Sequence, residues 1–246
     1  MTDAEPSSKG EFWRVAWNSI KANRVPLLFL WAIAFALVWS YYALPGAKRL
    51  LQPIFDFQTL GGWKAAVANR VVFCGLLPGA FLIAVRSIRP RRVVATILAN
   101  CVWMGAWGVM SNLFFTMQAR IFGDGVDPAT LVCKVLVDKC VWSALLCVPL
   151  NTIFFFWEGR DFALARCRKE WPKSYWCDLY LPLLTADFMV WIPVQCAVYM
   201  FPLPLQIQLV GLAGAFWTLV GLSAGAKIAR ARRSRPQPPP ARPAGR

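Results

Sequence analysis

The chain has 246 residues, of which 58% are hydrophobic, and its mean hydropathy is +0.47. Soluble domains contain roughly 45–50% apolar residues, so this composition excludes an ordinary soluble fold and favours an α-helical bundle in lipid. The net charge of +15 is attributed to membrane-flanking loops and anionic headgroups rather than to nucleic acid, because the charges stand between apolar blocks.

The first 25 residues are polar and basic, and a stretch from Phe12 to Trp17 predicts an amphipathic segment at a membrane surface. Six apolar blocks follow, each near the ~20 residues that a helix needs to cross hydrocarbon: 27–44, 68–86, 93–118, 133–157, 183–201 and 204–226. The expected fold class is therefore all-α, a polytopic transmembrane bundle of about six apolar helices, with about four to six spans.

Proline marks two features within these blocks. Pro78 is predicted to kink the second block or to break it into a re-entrant element. The last two blocks are separated only by Pro202-Leu203-Pro204, which predicts a tight antiparallel hairpin.

Charge distribution gives a second view of topology, because lysine and arginine collect on one side of a membrane. A six-span arrangement places 20 of the 27 basic residues on the side that holds both termini. The basic, proline-rich tail is expected to be disordered. The predicted organisation is a polar N-terminal segment 1–25, an extra transmembrane helix and loop 26–62, a helical bundle 63–229 and the tail 230–246.

The eight cysteines lie mostly inside apolar blocks, where a free thiol behaves as a small hydrophobic group. Cys133, Cys140 and Cys147 recur every seven residues on one helix face. This spacing predicts close helix packing through small side chains. A redox or metal role is the alternative for the same face.

Catalytic signatures are scarce. The chain contains no histidine, which removes the commonest general base and metal ligand, and it carries no nucleotide-binding, zinc-protease or serine-hydrolase motif. We expect no enzymatic activity, no cofactor and no metal site.

Polar residues within the apolar blocks are costly in lipid, and therefore they are candidates for function. Asp138 and Lys139 open the fourth block, and Glu158 closes it. Asp187, Trp191 and Gln195 recur at helical spacing in the fifth block and share one face. Two interpretations stay open: these residues line a water-filled passage, or they form a buried polar seam between helices.

A longer pattern includes some of the same residues. Asp138-Lys139 is followed by Pro149, and Trp191-Ile192-Pro193-Val194-Gln195 is followed by Tyr199, Trp217 and Ser223. From about residue 128 to about residue 227, the sequence resembles the Mpv/PMP family, small hydrophobic proteins of peroxisomal, mitochondrial inner and chloroplast membranes. The resemblance implies a compact bundle in an organellar membrane with a pore-forming or solute-permeability role.

The functional expectation is therefore an organellar channel-like membrane protein that acts in solute permeability or organelle homeostasis. The alternative is a non-catalytic structural subunit of a large membrane complex. Expected partners are anionic membrane lipids at the basic loops, small solutes, and copies of the chain or other membrane subunits, with no nucleic acid. The expected location is a multi-pass position in the mitochondrial inner, peroxisomal or chloroplast membrane.

Overall fold

The computed structural model describes residues 9–84, 90–172, 174–216 and 218, and the regular secondary structure in these ranges is entirely helical. The all-α prediction is confirmed for this part of the chain. The helices are α1 Lys9–Ala43, α2 Pro45–Arg70, α3 Leu77–Ala84, α4 Pro90–Phe122, α5 Pro128–Val137, α6 Val148–Glu158, α7 Leu164–Lys169, α8 Leu181–Tyr199 and α9 Leu203–Phe216. Three π-helical segments join them: π1 Val71–Leu76, π2 Asp138–Cys147 and π3 Trp176–Tyr180.

Membrane-spanning capacity is clearest in two helices. Val93–Phe122 within α4 and Leu181–Tyr199 (α8) are long and apolar enough to cross a bilayer by themselves. A third candidate is the pair Leu27–Ala43 and Pro45–Phe81, whose two parts are bent by 110°. Within the described ranges, helix length and composition thus indicate two spans, or up to three, and support membrane association in general terms.

The outer surface of α4 is apolar along most of the helix. Val94, Leu98 and Val102 follow one another at four-residue intervals and are 67%, 60% and 75% exposed. Leu113 and Ile121 continue the exposed apolar surface toward the end of the helix. Contiguous apolar surface of this kind marks contact with lipid or with another protein.

The chain departs from regular helix geometry at Leu44 and at Gly62. The bend between α1 and α2 occurs at Leu44, and Gly62 interrupts α2 with a φ of 52°, a conformation that favours glycine. At Pro78 the chain remains helical, so the predicted break is absent there. Instead, π1 precedes Pro78, and the Leu77 N–H donates to the carbonyl of Val72, five residues back.

The helices pack closely where glycines remove side-chain bulk. A Cβ at Gly108 of α4 would lie 2.7 Å from the Cα of Val67 in α2, so these two backbones touch. Helices α8 and α9 form the predicted hairpin, since a Cβ at Gly214 would lie 3.9 Å from the ring of Trp191. Gly108 and Gly214 thus allow close approach, as small residues do between membrane helices.

From Leu27 onward, helix α1 packs against α8. The indole N–H of Trp31 donates to the carbonyl of Val190 at 3.2 Å, and the Tyr42 hydroxyl donates to the carbonyl of Met200. Leu27, Leu30 and Val38 are buried against residues of α8 and α9. The N-terminal helix is therefore part of the packed bundle.

The structure contradicts the prediction for the cysteine face and does not describe the predicted tail. All eight cysteines are free thiols, but Cys133 and Cys140 are exposed, so their face is not the helix-packing seam that the seven-residue spacing predicts. The π2 segment ends at Cys147 and disturbs the regular helical repeat. The predicted tail 230–246 lies outside the described residues.

Candidate functional site

Three charged side chains meet inside the bundle. The Lys139 ammonium lies 2.9 Å from Asp138 Oδ1 and 3.4 Å from Asp187 Oδ2. It also donates to the Ser143 hydroxyl at 2.8 Å. Asp138 is 1% exposed and Lys139 4%, so the ammonium reaches two carboxylates in a site largely shielded from solvent.

The second oxygen of Asp138 connects this ion pair to α8. Asp138 Oδ2 accepts from Gln195 Nε2 at 2.7 Å and from the Tyr199 hydroxyl at 2.9 Å. Tyr199 in turn accepts from Gln118 Nε2 of α4 at 2.9 Å. Side chains of α4, π2 and α8 therefore share one hydrogen-bonded network. We call it the charged cluster: Asp138, Lys139, Ser143, Asp187, Gln195 and Tyr199.

A half-open cavity of about 490 Å³ lies beside the charged cluster. Asp138, Lys139, Asp187, Trp191 and Gln195 all line it, so five of the six residues singled out from the sequence are brought together. The lining also includes Cys147, the last member of the predicted cysteine face. Other lining residues carry no signal in the sequence, among them Arg70, Trp107, Ser111, Trp142, Asn151 and Thr152.

Glu158, the sixth selected residue, lies elsewhere. It closes α6 and accepts a short hydrogen bond from Asn100 of α4. It is not part of the cavity lining. The prediction that Glu158 lies with Asp138 and Lys139 at one site is therefore wrong. Glu158 is more than five helical turns further along the chain, and its partner comes from α4.

Arg70 adds a positive charge on the α2 side of the cavity. Its Nη2 donates to the Ser111 hydroxyl at 3.1 Å, and its Nε is buried without a hydrogen-bond partner. Within the described ranges no carboxylate lies within ion-pairing distance of its guanidinium group. In the sequence, Arg70 lies inside the apolar block 68–86. In the six-span arrangement it belongs to the minority side of the membrane, the side with only seven of the 27 basic residues.

A second buried polar group lies between α2, α4 and α9. Asn69 Nδ2 donates to Gln208 Oε1 at 2.6 Å, and Gln208 Nε2 donates to Gln58 Oε1 at 2.5 Å. Gln58 Nε2 reaches Asn112 Oδ1 at 3.1 Å. These four amides hold the break at Gly62 in place, since Gln58 also donates to the Gly62 carbonyl. These amides are far apart in the sequence, so no local pattern predicts that they are in contact.

The remaining residues of the Mpv/PMP-like pattern lie outside the charged cluster or outside the described residues. Pro149 stands at the start of α6, directly after π2, and its carbonyl accepts from the Tyr175 hydroxyl at 3.4 Å. Pro193 lies within α8, which continues past it. Trp217 and Ser223 lie outside the described residues.

In the described ranges, no group of three or more cysteine, aspartate or glutamate side chains is placed to hold a metal ion. What the site offers is ion pairing, hydrogen bonding and a cavity. Comparisons of the chain with protein-family models, curated proteins and solved structures find no match.

Proposed function

We propose that the protein is a multi-pass membrane protein that admits small solutes through the cavity beside the charged cluster, without catalysing a reaction. The observation that carries the proposal is the position of Asp187. Its side chain is 18% exposed, lines the cavity and is 3.4 Å from Lys139. A charged group at a cavity between apolar helices is costly to maintain in a membrane, and such groups characteristically mark solute or ion routes.

The six-span topology is part of this proposal. Helices α5 and α6 with π2 run as one uninterrupted helical segment from residue 128 to residue 158, long enough to cross hydrocarbon. The segment from Trp63 to Ala84 is similarly continuous after the break at Gly62. With α1, α4, α8 and α9, these segments make up the six proposed crossings, although the described part of α9, Leu203–Phe216, is shorter than a full span.

The distribution of basic residues supports the same topology. Of the seven basic residues on the minority side, Arg70 lines the cavity, and Lys134 and Lys139 are buried. The minority side therefore presents only Lys48, Arg49, Lys64 and Arg120 outside the bundle interior. Such a bias is what the positive-inside rule expects of a multi-pass protein.

Membership of the Mpv/PMP family and location in an organellar membrane belong to the proposal as well. They rest on the motif residues Pro149, Trp191, Pro193 and Gln195, two of which, Trp191 and Gln195, line the cavity. Imaging a C-terminally tagged protein against mitochondrial, peroxisomal and plastid markers tests the location. Exclusive labelling of the plasma membrane would contradict it.

Conductance measurements test the solute pathway. We expect the purified protein to conduct in planar bilayers under a KCl gradient. Asp187→Asn removes a negative charge from the cavity wall and is expected to move the reversal potential toward that of chloride. Asp56→Asn is the matched control, because Asp56 is an exposed residue of α2 that bonds Gln52. The pathway is refuted if the wild-type protein does not conduct, or if Asp187→Asn behaves like Asp56→Asn.

The second candidate function is a structural subunit of a membrane complex. Its supporting observation is the exposed apolar surface of the part of α2 before Gly62, where Leu50 and Leu60 are 79% and 89% exposed. Native gels in mild detergent separate the two functions. Comigration with a large complex favours the subunit, and a monomer or small homo-oligomer favours the solute pathway.

A further inference from the structure

We propose that the cavity contains a binding site for a small organic carboxylate, held by Arg70, Trp107 and Ser111. The proposal specifies a ligand for the cavity of the proposed function and rests on that function for its physiological meaning. The cavity size of about 490 Å³ is typical of small-molecule sites, which combine apolar walls with a few polar groups.

Arg70 provides the charge that such a ligand needs. The guanidinium group lines the cavity, and its Nη1 lies beside Gly214, where a Cβ would approach to 3.3 Å. Lys139, the other cation of the lining, is already shared by Asp138 and Asp187. An arginine among apolar helices without a carboxylate partner in the described ranges is a costly arrangement that an anionic ligand would relieve.

Trp107 carries a second unpaired donor, one helical turn from Ser111. The residue is 6% exposed and is part of the cavity lining, and its buried indole N–H has no hydrogen-bond partner. The neighbouring Trp103 contrasts with it, because the Trp103 N–H donates to Asn151 at 2.9 Å. Trp107 lies one helical turn before Ser111, the residue that bonds Arg70, so both side chains project from one face of α4.

The three groups together favour a carboxylate over a cation. The guanidinium and the indole can only donate hydrogen bonds. The Ser111 hydroxyl already accepts from Arg70, and its own hydrogen remains able to donate. Guanidinium groups bind carboxylates through paired hydrogen bonds. The aromatic walls contributed by Trp142 and Trp191 suit a ligand with an apolar body.

Titration of purified protein in lipid-free detergent micelles tests the site, with benzoate, benzamide and benzylamine as probes. These probes share an aromatic body and are anionic, neutral and cationic, respectively. We expect benzoate to bind and benzamide to bind at least about tenfold more weakly, since a hydrogen-bonded charge contributes about 1.5–3 kcal/mol. Equal binding of benzoate and benzamide, or stronger binding of benzylamine, would overturn the proposal.

Variants locate the binding. Arg70→Gln is expected to weaken benzoate binding about ten- to a hundredfold, whereas Arg49→Gln, at an exposed arginine, should leave it unchanged. If Arg70→Gln does not fold, Trp107→Phe and Arg70→Lys provide the same test, and each should weaken benzoate relative to benzamide. Unchanged benzoate affinity in the folded variants refutes the site. Because binding is measured without conductance, a failure of the solute pathway and a failure of this site are separate results.

Discussion

Lys139 dominates the electrostatics of the charged cluster, because its ammonium group lies between two carboxylates. Asp138 approaches it to 2.9 Å and Asp187 to 3.4 Å. Removal of one partner from a buried ion pair leaves an uncompensated charge, whereas the intact pair adds little net stability. The stability of the bundle should therefore respond more strongly to loss of Lys139 than to loss of an exposed lysine.

We predict that Lys139→Met lowers the free energy of unfolding by about 3–5 kcal/mol, because two carboxylates would then face each other without a cation. Reversible unfolding in mixed micelles, followed by circular dichroism, measures the effect. Lys64→Met is the control: Lys64 is exposed, and a change within about 0.5 kcal/mol is expected there. Equal effects of the two substitutions would show that Lys139 does not balance the carboxylates.

The start of α5 provides a pH-dependent test outside the apolar segments. Asp127 Oδ1 accepts a hydrogen bond from the Thr130 N–H at 3.0 Å, and this bond lowers the pKa of Asp127 below its ordinary value. The stabilising contribution is therefore present above the unfolded-state pKa of about 4 and is lost as the pH falls through the lower folded-state pKa.

We predict that the amide of Thr130 is protected from hydrogen exchange at neutral pH and loses protection, relative to the intrinsic rate, as the pH falls below about 4. Asp127→Asn should remove this pH dependence, because an amide does not titrate in that range. Asp56→Asn should leave it intact, since Asp56 lies in α2. A pH profile that is the same for all three proteins would contradict the role of Asp127 as the helix cap.

Part of the candidate site follows from sequence periodicity. A helical repeat puts Asp187, Trp191 and Gln195 on one face, and all three line the cavity. Arg70 and Tyr199 do not follow from it, because their roles depend on which helices face each other. The Asp138–Tyr199 hydrogen bond joins residues 61 positions apart, a separation at which local patterns carry no information about contact.

At the scale of helices, the three π segments share a proline two residues after their ends. Pro78, Pro149 and Pro182 follow π1, π2 and π3, and the residue before each proline donates to a carbonyl five residues back. This wider turn makes room for a proline ring that would otherwise meet the carbonyl four residues earlier. The sequence alone does not predict it, because α8 continues through Pro193 as a regular α-helix.

Close helix crossing gives the next prediction. Gly108→Ala should lower the free energy of unfolding by about 1–3 kcal/mol, because the new Cβ would meet the backbone of Ala66 and Val67 at 2.7–2.9 Å. Gly105→Ala is the matched control on the same helix, where the nearest atoms are side-chain carbons at 3.5 Å or more. It should be neutral or slightly stabilising. A similar loss of unfolding free energy in both variants would show that Gly108 is not the point of closest contact between α2 and α4.

For the whole molecule, hydropathy predicts helices well and their connections poorly. The apolar blocks 93–118 and 133–157 lie within continuous helical segments, 90–122 and 128–158, because runs of this length form helices wherever their backbone cannot bond to water. The 110° bend after α1 is not predictable in the same way. Its geometry depends on α1 packing against α8 and on the amides that fix Gly62.

One of the proposed crossings, the segment 128–158, separates Arg120 from Lys169. If this segment crosses the membrane, as the six-span topology requires, the two positions face opposite sides. If only α4, α8 and the bent N-terminal pair span, the two positions face the same side. Both residues are exposed in the structure, so a cysteine at either position is open to a water-soluble reagent.

We predict that Arg120→Cys and Lys169→Cys, each in a cysteine-free background, are labelled from opposite sides of sealed vesicles of uniform orientation by a membrane-impermeant maleimide. Arg49→Cys should label from the same side as Arg120→Cys, because both follow odd-numbered spans. Labelling of permeabilised vesicles gives the total amount of reactive cysteine for each variant. Labelling of positions 120 and 169 from one side would exclude a crossing at 128–158. The buried Asp138 and Lys139 would then lie outside the hydrocarbon region, where ion pairing is far less costly.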